Sequence, residues 1–193
     1  MPTTKADKWN KIYSQQDCKQ AKASRVVVEN AYLLPASGRA LDLACGMGGN
    51  AILLAQSNLT VNAWDISSTA LDKLSKYSQE NNLNIVTREV DVEQQPPEKN
   101  SYDVVVVSQF LHRPTFKALC ESLYIGGILF YQTFSADKVD DTGPTNPDFL
   151  LAKNELLNFC KGMQVLVYRE EGAQGDKQKG WRNQAMIVAK KMT

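Results

Sequence analysis

A glycine-rich stretch in the first third of the chain has the composition of a ligand-binding turn. Residues 39–55 read R-A-L-D-L-A-C-G-M-G-G-N-A-I-L-L-A, with one apolar run before the glycines and another after them. This pattern predicts a strand, a glycine turn and the start of a helix. Glycine permits a positive φ and leaves room for a ligand against the backbone. The helix N-terminus adds free N–H groups and a partial positive charge, so a ligand is expected above the turn.

Two classes of cofactor fit such a turn. Gly46, Gly48 and Ala51 satisfy the G-x-G-x-x-[G/A] fingerprint of dinucleotide-binding folds, and Asp65 lies near the usual position of an acid that binds a ribose. Asp42, at the end of the predicted strand, argues against a pyrophosphate because its charge would repel one. The same carboxylate suits an amino group, such as that on the methionine part of S-adenosylmethionine.

Three sets of residues carry a resemblance to a known family. The D-L-A-C-G-M-G-G segment at 42–49 resembles the first motif of class I S-adenosylmethionine-dependent methyltransferases, with Ala44 where many members have glycine. W-x-x-I-Y at 9–13 looks like the lid helix of small methyltransferases related to tellurite-resistance proteins. L-H-R-P at 111–114, Y-Q-T-F at 131–134 and G-P-x-N-P-x-F-L-L-x-x-N-E-L-L at 143–157 resemble bacterial proteins of that group. The resemblance covers nearly the whole chain and implies S-adenosylmethionine as cofactor, but it is only loose for the substrate.

Acids at the strand ends are the main candidates for holding this cofactor. Asp65 can accept both hydroxyls of an adenosine ribose, although a helix cap or a solvated acid is the alternative. The resemblance implies that Asp91 hydrogen-bonds the adenine amino group and that the backbone N–H of Val92 bonds to the adenine ring. Alternatively, Asp91 is an ordinary acid in a turn. The full set of predicted cofactor-binding residues is Trp9, Tyr13, Asp42, Ala44, Cys45, Gly46, Gly48, Asn50, Asp65, Ile66, Asp91, Val92 and Ser108.

Helical spacing is evident in two N-terminal segments. Trp9, Ile12 and Tyr13 predict a short amphipathic helix, which either rests on the core or folds over the cofactor pocket. A second helix is predicted from about Ala21 to Leu34.

No general base can be assigned from the sequence. His112 is the only histidine, and Arg113 follows it at the edge of the predicted sheet where ligands bind. His112 is a weak candidate for catalysis and Arg113 for holding an anionic substrate; packing and a surface ion pair are the alternatives. Methyl transfer to a thiolate, a selenolate or a metalloid oxyanion needs no base, whereas a protonated amine or hydroxyl needs one.

The order of the predicted elements indicates an α/β fold with a doubly wound, Rossmann-like sheet of seven strands. The first five strand-like runs alternate with helical runs, except for a polar loop at 93–101 between the third and the fourth. No helix fits between the last two runs, which must therefore pair antiparallel. Five parallel strands and a terminal hairpin are the class I methyltransferase arrangement. A dinucleotide dehydrogenase would normally continue into a substrate domain, for which 193 residues leave no room. The predicted strands are 40–44, 60–66, 84–92, 102–108, 128–134, 163–169 and 181–189.

The segment between the fifth strand and the hairpin is predicted to contain a loop and a helix. Asn146 is a good N-cap, Pro147 a good first helical residue and Gly162 a good stop signal. Phe149, Ala152, Leu156 and Phe159 would form its buried stripe. In such a fold, loop 135–145 would help shape the substrate pocket, or it is simply a solvated loop.

Composition restricts the class of protein. With 43% hydrophobic residues, 22% charged residues and a net charge of +1, one ordinary globular domain is expected, with residues 1–35 as a helical cap and 36–193 as the core. The near-neutral charge makes nucleic acid an unexpected partner. Four scattered cysteines and one histidine predict free thiols in a reducing cytoplasm and no metal site. No signal peptide or membrane-spanning segment is predicted, and the domain is expected to act as a monomer or a homodimer.

The predicted function is S-adenosylmethionine-dependent methyl transfer to a small molecule. The acceptor is expected to be a thiol, a selenium or tellurium oxyanion, or another soft nucleophile. Two alternatives remain open, namely an NAD(P)-dependent oxidoreductase and a protein that binds S-adenosylmethionine without catalysis.

Overall fold

The computed structural model describes residues 4–193, so the first three residues of the predicted cap lie outside the described part of the chain. The order of the seven-stranded sheet is β3-β2-β1-β4-β5-β7-β6. The helices are α1 Lys5–Ser14, α2 Arg25–Glu29, α3 Gly49–Gln56, α4 Ser68–Glu80, α5 Phe116–Ser122 and α6 Glu155–Phe159. The strands are β1 Gly38–Leu43, β2 Leu59–Asp65, β3 Ile85–Glu89, β4 Tyr102–Ser108, β5 Leu123–Phe134, β6 Gln164–Arg169 and β7 Gln184–Lys190.

Consecutive valines place β4 at the centre of the sheet. Val104 and Val106 are completely buried among residues of α2, α3 and α4, while Val105 and Val107 are completely buried on the other face against α5 and α6. A strand buried on both faces requires apolar side chains at every position. The sequence V-V-V-V meets this requirement, and the bounds predicted for this strand are confirmed.

Strand direction follows the predicted pattern. β1 to β5 are mutually parallel where they pair. β7 runs antiparallel to both β5 and β6 and lies between them. The class I methyltransferase sheet with a terminal antiparallel hairpin is therefore confirmed.

The second helix is shorter than predicted. It begins at Arg25 instead of Ala21, whose backbone is extended at φ −65° and ψ 125°, and it ends at Glu29 before a 3₁₀ turn. The helix is anchored from outside, since the Val26 N–H donates to Gln132 Oε1 at 2.7 Å. This contact with β5 is not visible in the local periodicity on which the prediction relied.

The predicted helix from Pro147 to Gly162 is wrong as a continuous element. Asn146 does cap a turn, but that turn is a single 3₁₀ turn, and Phe149 is 52% exposed instead of buried. Leu151 then forms a parallel bridge with Ser135, and Asn154 takes a left-handed conformation with φ 60° before α6 begins. Pairing with the end of β5 therefore overrides the local helix signals.

Candidate cofactor-binding site

A cavity of about 560 Å³ opens at the carboxyl ends of β1, β2 and β4. Cavities of this size are typical of small-molecule sites, and open α/β sheets bind ligands at this edge. Most of the predicted cofactor-binding residues line it, namely Trp9, Tyr13, Ala44, Cys45, Gly46, Asn50, Asp65, Ile66, Asp91, Val92 and Ser108. Asp42 and Gly48 are not part of the wall.

The turn after β1 brings the backbone into close contact with its surroundings. Gly46 has φ 53° and Gly48 has φ 78°, so the predicted need for glycine is met at both positions. Ala44 also has a positive φ, 55°, which costs a residue with a Cβ about 1 kcal/mol or more. Gly48 lies behind the wall, where a Cβ would overlap the side chain of Leu74. Its role is thus to close the turn against α4.

Asp65 connects the end of β2 to the glycine turn. Its Oδ2 accepts the Gly46 N–H at 2.7 Å and its Oδ1 accepts the Ser67 N–H at 2.9 Å. Burial raises the pKa of the Asp65 carboxyl, and these backbone donors oppose the rise. A carboxylate has about four acceptor positions, so each oxygen can still accept a bond from a ligand hydroxyl. This arrangement fits the ribose of an adenosyl cofactor.

Asp42 does not occupy the predicted position facing a ligand amino group. Its carboxylate is completely buried behind the cavity, where Oδ2 accepts the Ala51 N–H at 2.9 Å and Oδ1 accepts from Asn50 Nδ2 at 3.4 Å. The donors at the start of α3 draw the side chain away from the wall. Asp42 therefore ties β1 to α3, and its partner Asn50 is the residue of the pair that lines the cavity.

The buried Asp42 should make stability depend on pH. Burial raises the pKa of Asp42 to about 7, against 3.8 for the ordinary side chain. A raised carboxyl pKa favours the folded state at low pH, and this contribution is lost as the pH rises towards the folded pKa. Asp42→Asn should therefore lower the pH dependence of the unfolding free energy by roughly 2–3 kcal/mol between pH 5 and pH 8. Urea denaturation of both proteins at the two pH values measures the difference. Equal pH dependence in the two proteins would show that Asp42 does not titrate in this range.

The loop after β3 forms the opposite wall. Asp91 and Val92 both line the cavity, and Asp91 Oδ1 accepts the Glu93 N–H at 3.1 Å. Glu93 also lines the cavity and pairs with Lys5 of α1 at 2.5 Å. Of the three acids expected to meet at one ligand, two therefore share this cavity, and Asp42 lies behind it.

Helix α1 lies over the glycine turn. None of its residues is buried, yet Trp9 and Tyr13 line the cavity and stack with their ring centroids 5.6 Å apart. A Cβ on Gly46 would lie 2.7 Å from Tyr13 Oη, so the phenol rests directly on the turn. Burial raises the pKa of Tyr13, which keeps its hydroxyl protonated. The position of α1 therefore matches a helix that folds over the cofactor pocket more closely than one that only rests on the core.

Lys73 of α4 holds the C-terminal end of α1. Its Nζ donates to the carbonyl oxygens of Tyr13, Ser14 and Gln16 at 2.8, 2.9 and 2.6 Å. Lys73→Met should free this end of the helix and weaken binding of S-adenosylhomocysteine about five- to tenfold, since a hydrogen bond to a charged group contributes about 1.5–3 kcal/mol and part of that is lost to solvent. Titration calorimetry tests this, with Lys76→Met on the same helix as the control. Identical affinities in the two variants would show that the Lys73 contacts do not support the site.

The two weak catalytic candidates are placed outside the cavity wall. His112 Nδ1 bonds with Thr115 Oγ1, and its Nε2 lies 4.0 Å from Glu93 Oε2. Arg113 pairs with Glu155 and donates to the carbonyl oxygens of residues 148 and 150, so its side chain braces the segment before α6. A packing role for His112 and an ion pair for Arg113 therefore describe these side chains better than roles in catalysis or substrate binding do.

The cavity wall also contains residues outside the predicted cofactor-binding set. Ser24, Gln109, Phe110 and Gln132 line the cavity, whereas no residue of loop 135–145 does. The loop is drawn to the side because Asn183 Oδ1 accepts the Val139 N–H at 2.8 Å. Gln109 and Phe110 directly follow β4, at the edge where open α/β sheets are expected to bind ligands, and Gln109 has φ 55° there.

The residues present fit an adenosyl amino acid. Asp65 has acceptor positions left for hydroxyls, Ile66 and Val92 provide apolar surface, and the polar side chains of Asn50 and Ser108 lie in the same wall. Ser24 belongs to the same wall, and its buried Oγ has no hydrogen-bond partner among the described residues.

Comparison with known proteins identifies the family. A family model described as a methyltransferase domain matches residues 40–125. A Haemophilus influenzae protein described as a probable S-adenosyl-L-methionine-dependent methyltransferase, TehB, is 30% identical over 140 residues, which are 68% of this chain and 48% of that protein. The chain belongs to the class I S-adenosylmethionine-dependent methyltransferases. This membership makes S-adenosylmethionine the cofactor and confirms the predicted likeness to the TehB group.

Solved methyltransferase structures agree with this fold. The crystal structure of TehB from Haemophilus influenzae has a TM-score of 0.70 at 26% identity, covering 95% of this chain and 67% of that one. A methyltransferase from Aquifex aeolicus has a TM-score of 0.68 at 16% identity, covering 94% and 97%. This chain spans about half the length of the curated TehB relatives it matches, 48%.

Three further observations concern metals, thiols and membranes. In the part of the chain that the structure describes, no three His, Cys, Asp or Glu side chains are grouped to hold a metal ion. All four cysteines are unpaired, as predicted. Within residues 4–193 there is no helix with the length and apolar composition to cross a bilayer.

Proposed function

We propose that this methyltransferase domain transfers the sulfonium methyl group of S-adenosylmethionine to a small-molecule acceptor. The observation that carries the proposal is Asp65, whose buried carboxylate is fixed by the glycine turn while it lines the cavity. The proposal has the domain act in the cytoplasm, as a monomer or a homodimer, with residues 1–35 as a cap on a core of residues 36–193.

Each side of the cavity has a distinct role in this proposal. Asp65 accepts the ribose hydroxyls, and Asp91 with the Val92 N–H holds the adenine. Trp9 and Tyr13 of α1 cover the site and exclude water. When bound, S-adenosylmethionine supplies a methyl group that its positively charged sulfur already activates. The protein's contribution is alignment in a dry site, which is worth effective molarities of about 10⁵ M or more.

The acceptor is proposed to be a soft or anionic nucleophile, such as a thiolate, a selenolate or a metalloid oxyanion. In the cavity wall Glu93 is paired with Lys5, and the carboxylate of Asp65 accepts two backbone bonds. Burial raises the pKa of the Cys45 thiol well above its ordinary value, and the pKa of Tyr13 is raised as well. These groups are poor general bases, so a nucleophile that needs no deprotonation suits the site best.

A thermal-shift panel tests the choice of cofactor. A ligand at 100 times its dissociation constant stabilises the folded protein by about 2.7 kcal/mol. We expect stabilisation by S-adenosylmethionine and S-adenosylhomocysteine and none by NAD or NADP. Stabilisation by NAD alone would contradict the proposal. A turnover assay over thiols, selenite, tellurite and small amines then tests catalysis, and binding without methylation of any acceptor would favour a non-catalytic protein.

A further inference from the structure

Two of the four cysteines interact directly with each other, and both lie outside the wall of the cavity. The thiols of Cys120 and Cys160 are hydrogen-bond partners, and neither residue lines the cavity. Cys120 is a partly exposed residue of α5, whereas Cys160 directly follows α6 and is 1% exposed. The proposed methyl transfer uses neither thiol, so this pair has no role in the site already described.

Aromatic packing between two helices brings the thiols together. Phe116 lies one helical turn before Cys120, so both side chains share one face of α5. Phe159 directly precedes Cys160 and stacks on Phe116, with the ring centroids 4.3 Å apart. The Cys160 N–H donates to the carbonyl oxygen of Leu156 at 3.1 Å, which fixes the end of α6. The contact between the thiols therefore follows from the packing of α5 on α6.

An ion pair holds the same two segments at their other ends. Arg113, just before α5, pairs with Glu155, the first residue of α6, at 2.6 Å. Together with the stacked rings, this pair fixes how α5 and α6 lie relative to each other. The two thiols are thus kept close to each other in the folded protein.

The two thiols differ in reactivity. The hydrogen bond from Cys160 and the positive charge of Lys191 lower the pKa of Cys120. Lys191 Nζ is held at the end of α5, where it donates to the carbonyl oxygens of Glu121 and Leu123 at 3.1 and 2.7 Å. The same thiol–thiol bond, together with burial, raises the pKa of Cys160. Because the thiolate is the nucleophilic form, Cys120 is the attacking sulfur and Cys160 stays protonated beside it.

The other two cysteines lack this combination of exposure and activation. Cys18 is 4% exposed and Cys45 is 9% exposed. Burial is the main cause of a raised pKa at both thiols. Buried thiols with a raised pKa react slowly with oxidants, so Cys18 and Cys45 serve as internal references for the pair.

We propose that Cys120 and Cys160 form a reversible oxidation site, which a peroxide converts to a disulfide between α5 and the end of α6. The Cys120 thiolate attacks one oxygen of hydrogen peroxide; the O–O bond breaks, hydroxide leaves and a sulfenic acid forms. The Cys160 sulfur then attacks the sulfenic sulfur, so that the S–S bond forms and the hydroxyl group leaves as water with the Cys160 proton. The two thiols give up two electrons, which reduce the peroxide to water, and an added dithiol reverses the reaction.

Mass spectrometry of the full chain after treatment with equimolar hydrogen peroxide tests the site. We expect a loss of two hydrogen atoms, one cross-linked peptide that contains residues 120 and 160, and recovery of all four thiols with dithiothreitol. After unfolding, an alkylating reagent should label Cys18 and Cys45 alone. Cys18→Ala is the control and should form the disulfide at the wild-type rate. Four unchanged thiols in the wild type, or a disulfide that includes Cys18 or Cys45, would overturn the proposal.

Two variants test the separate roles of the thiols. Cys160→Ala should form no disulfide and should leave Cys120 as a sulfenic acid that dimedone labels. In Cys120→Ala, Cys160 should be oxidised at least about tenfold more slowly than Cys120 is in the wild type, because its thiolate is scarce. Equal rates, or no dimedone label on Cys120 in Cys160→Ala, would contradict these roles.

Thermal unfolding shows whether the disulfide fits the native packing. A native disulfide restricts the unfolded chain, so the oxidised wild type should have a Tm about 4–16 °C above that of the reduced protein. Cys120→Ala should keep its Tm after the same treatment. An equal or lower Tm in the oxidised wild type would show that the disulfide distorts α5 and α6, and would overturn the site.

Discussion

Replacing Asp65 with alanine is expected to weaken binding of S-adenosylmethionine and S-adenosylhomocysteine at least about 100-fold. The carboxylate lines the cavity and retains acceptor positions for two ligand hydroxyls, and each bond to a charged group contributes about 1.5–3 kcal/mol. The Gly46 N–H also loses its acceptor, so the turn that lies under the cofactor is loosened as well. Titration calorimetry measures the affinity, and a thermal-shift assay should show no stabilisation by either compound.

Asp72→Ala is the matched control for this result. Asp72 is an exposed acid of α4 and does not line the cavity, so its removal should leave the affinity unchanged. The Tm of free Asp65→Ala shows how much of the effect comes from the turn itself. Wild-type affinity in Asp65→Ala would exclude Asp65 from the ribose role.

Gly49→Ala is expected to lower both stability and cofactor affinity. Gly49 is the first residue of α3 and has an ordinary φ, but a Cβ there would overlap the backbone carbonyl of Lys22. Overpacking of this kind costs about 1–3 kcal/mol, equivalent to a fall of roughly 2–12 °C in Tm for a chain of this size. Relief of the clash would shift Lys22 and with it Ser24, so the affinity for S-adenosylhomocysteine should fall too.

Gly162→Ala is the control for the steric clash in Gly49→Ala, because it introduces backbone strain without a clash. Gly162 has φ 95°, with open space where a Cβ would lie. Its replacement should cost about 1–3 kcal/mol of stability through strain and leave cofactor affinity unchanged. If Gly49→Ala matched the wild type in Tm and affinity, the backbone of Lys22 would not pack against α3 as the structure has it.

Much of the fold follows from local sequence patterns because burial acts on them directly. The valine run of β4 needs both faces covered, so its position in the centre of the sheet is already implied by composition. The glycine turn is also local, since Gly46 and Gly48 take positive φ values that few other residues adopt. The place of Asp65 in the site follows from its distance along the chain from that turn.

Other features depend on partners far away in the sequence. Asn146 accepts the Asp148 N–H at 3.0 Å as a local N-cap should, but the bridge between Leu151 and Ser135 ends the helix that the cap predicts. Ser24 stands at the N-cap position of α2, where a serine often caps the helix. In the structure, however, the Val26 N–H donates to Gln132, which lies 106 residues away in the sequence.

Asp42 shows the same limit within the site itself. Its position at the end of β1 is correctly predicted, yet the N–H of Ala51 turns its carboxylate away from the ligand. Sequence therefore predicts which elements surround the cavity more accurately than which side chains enter it.

A crystal structure of the protein with S-adenosylhomocysteine tests the central claim most directly. We expect the ligand in the cavity between α1 and the glycine turn, with both ribose hydroxyls donating to Asp65 and the adenine beside Asp91 and Val92. A ligand bound elsewhere, or one in this cavity whose ribose makes no contact with Asp65, would contradict the account.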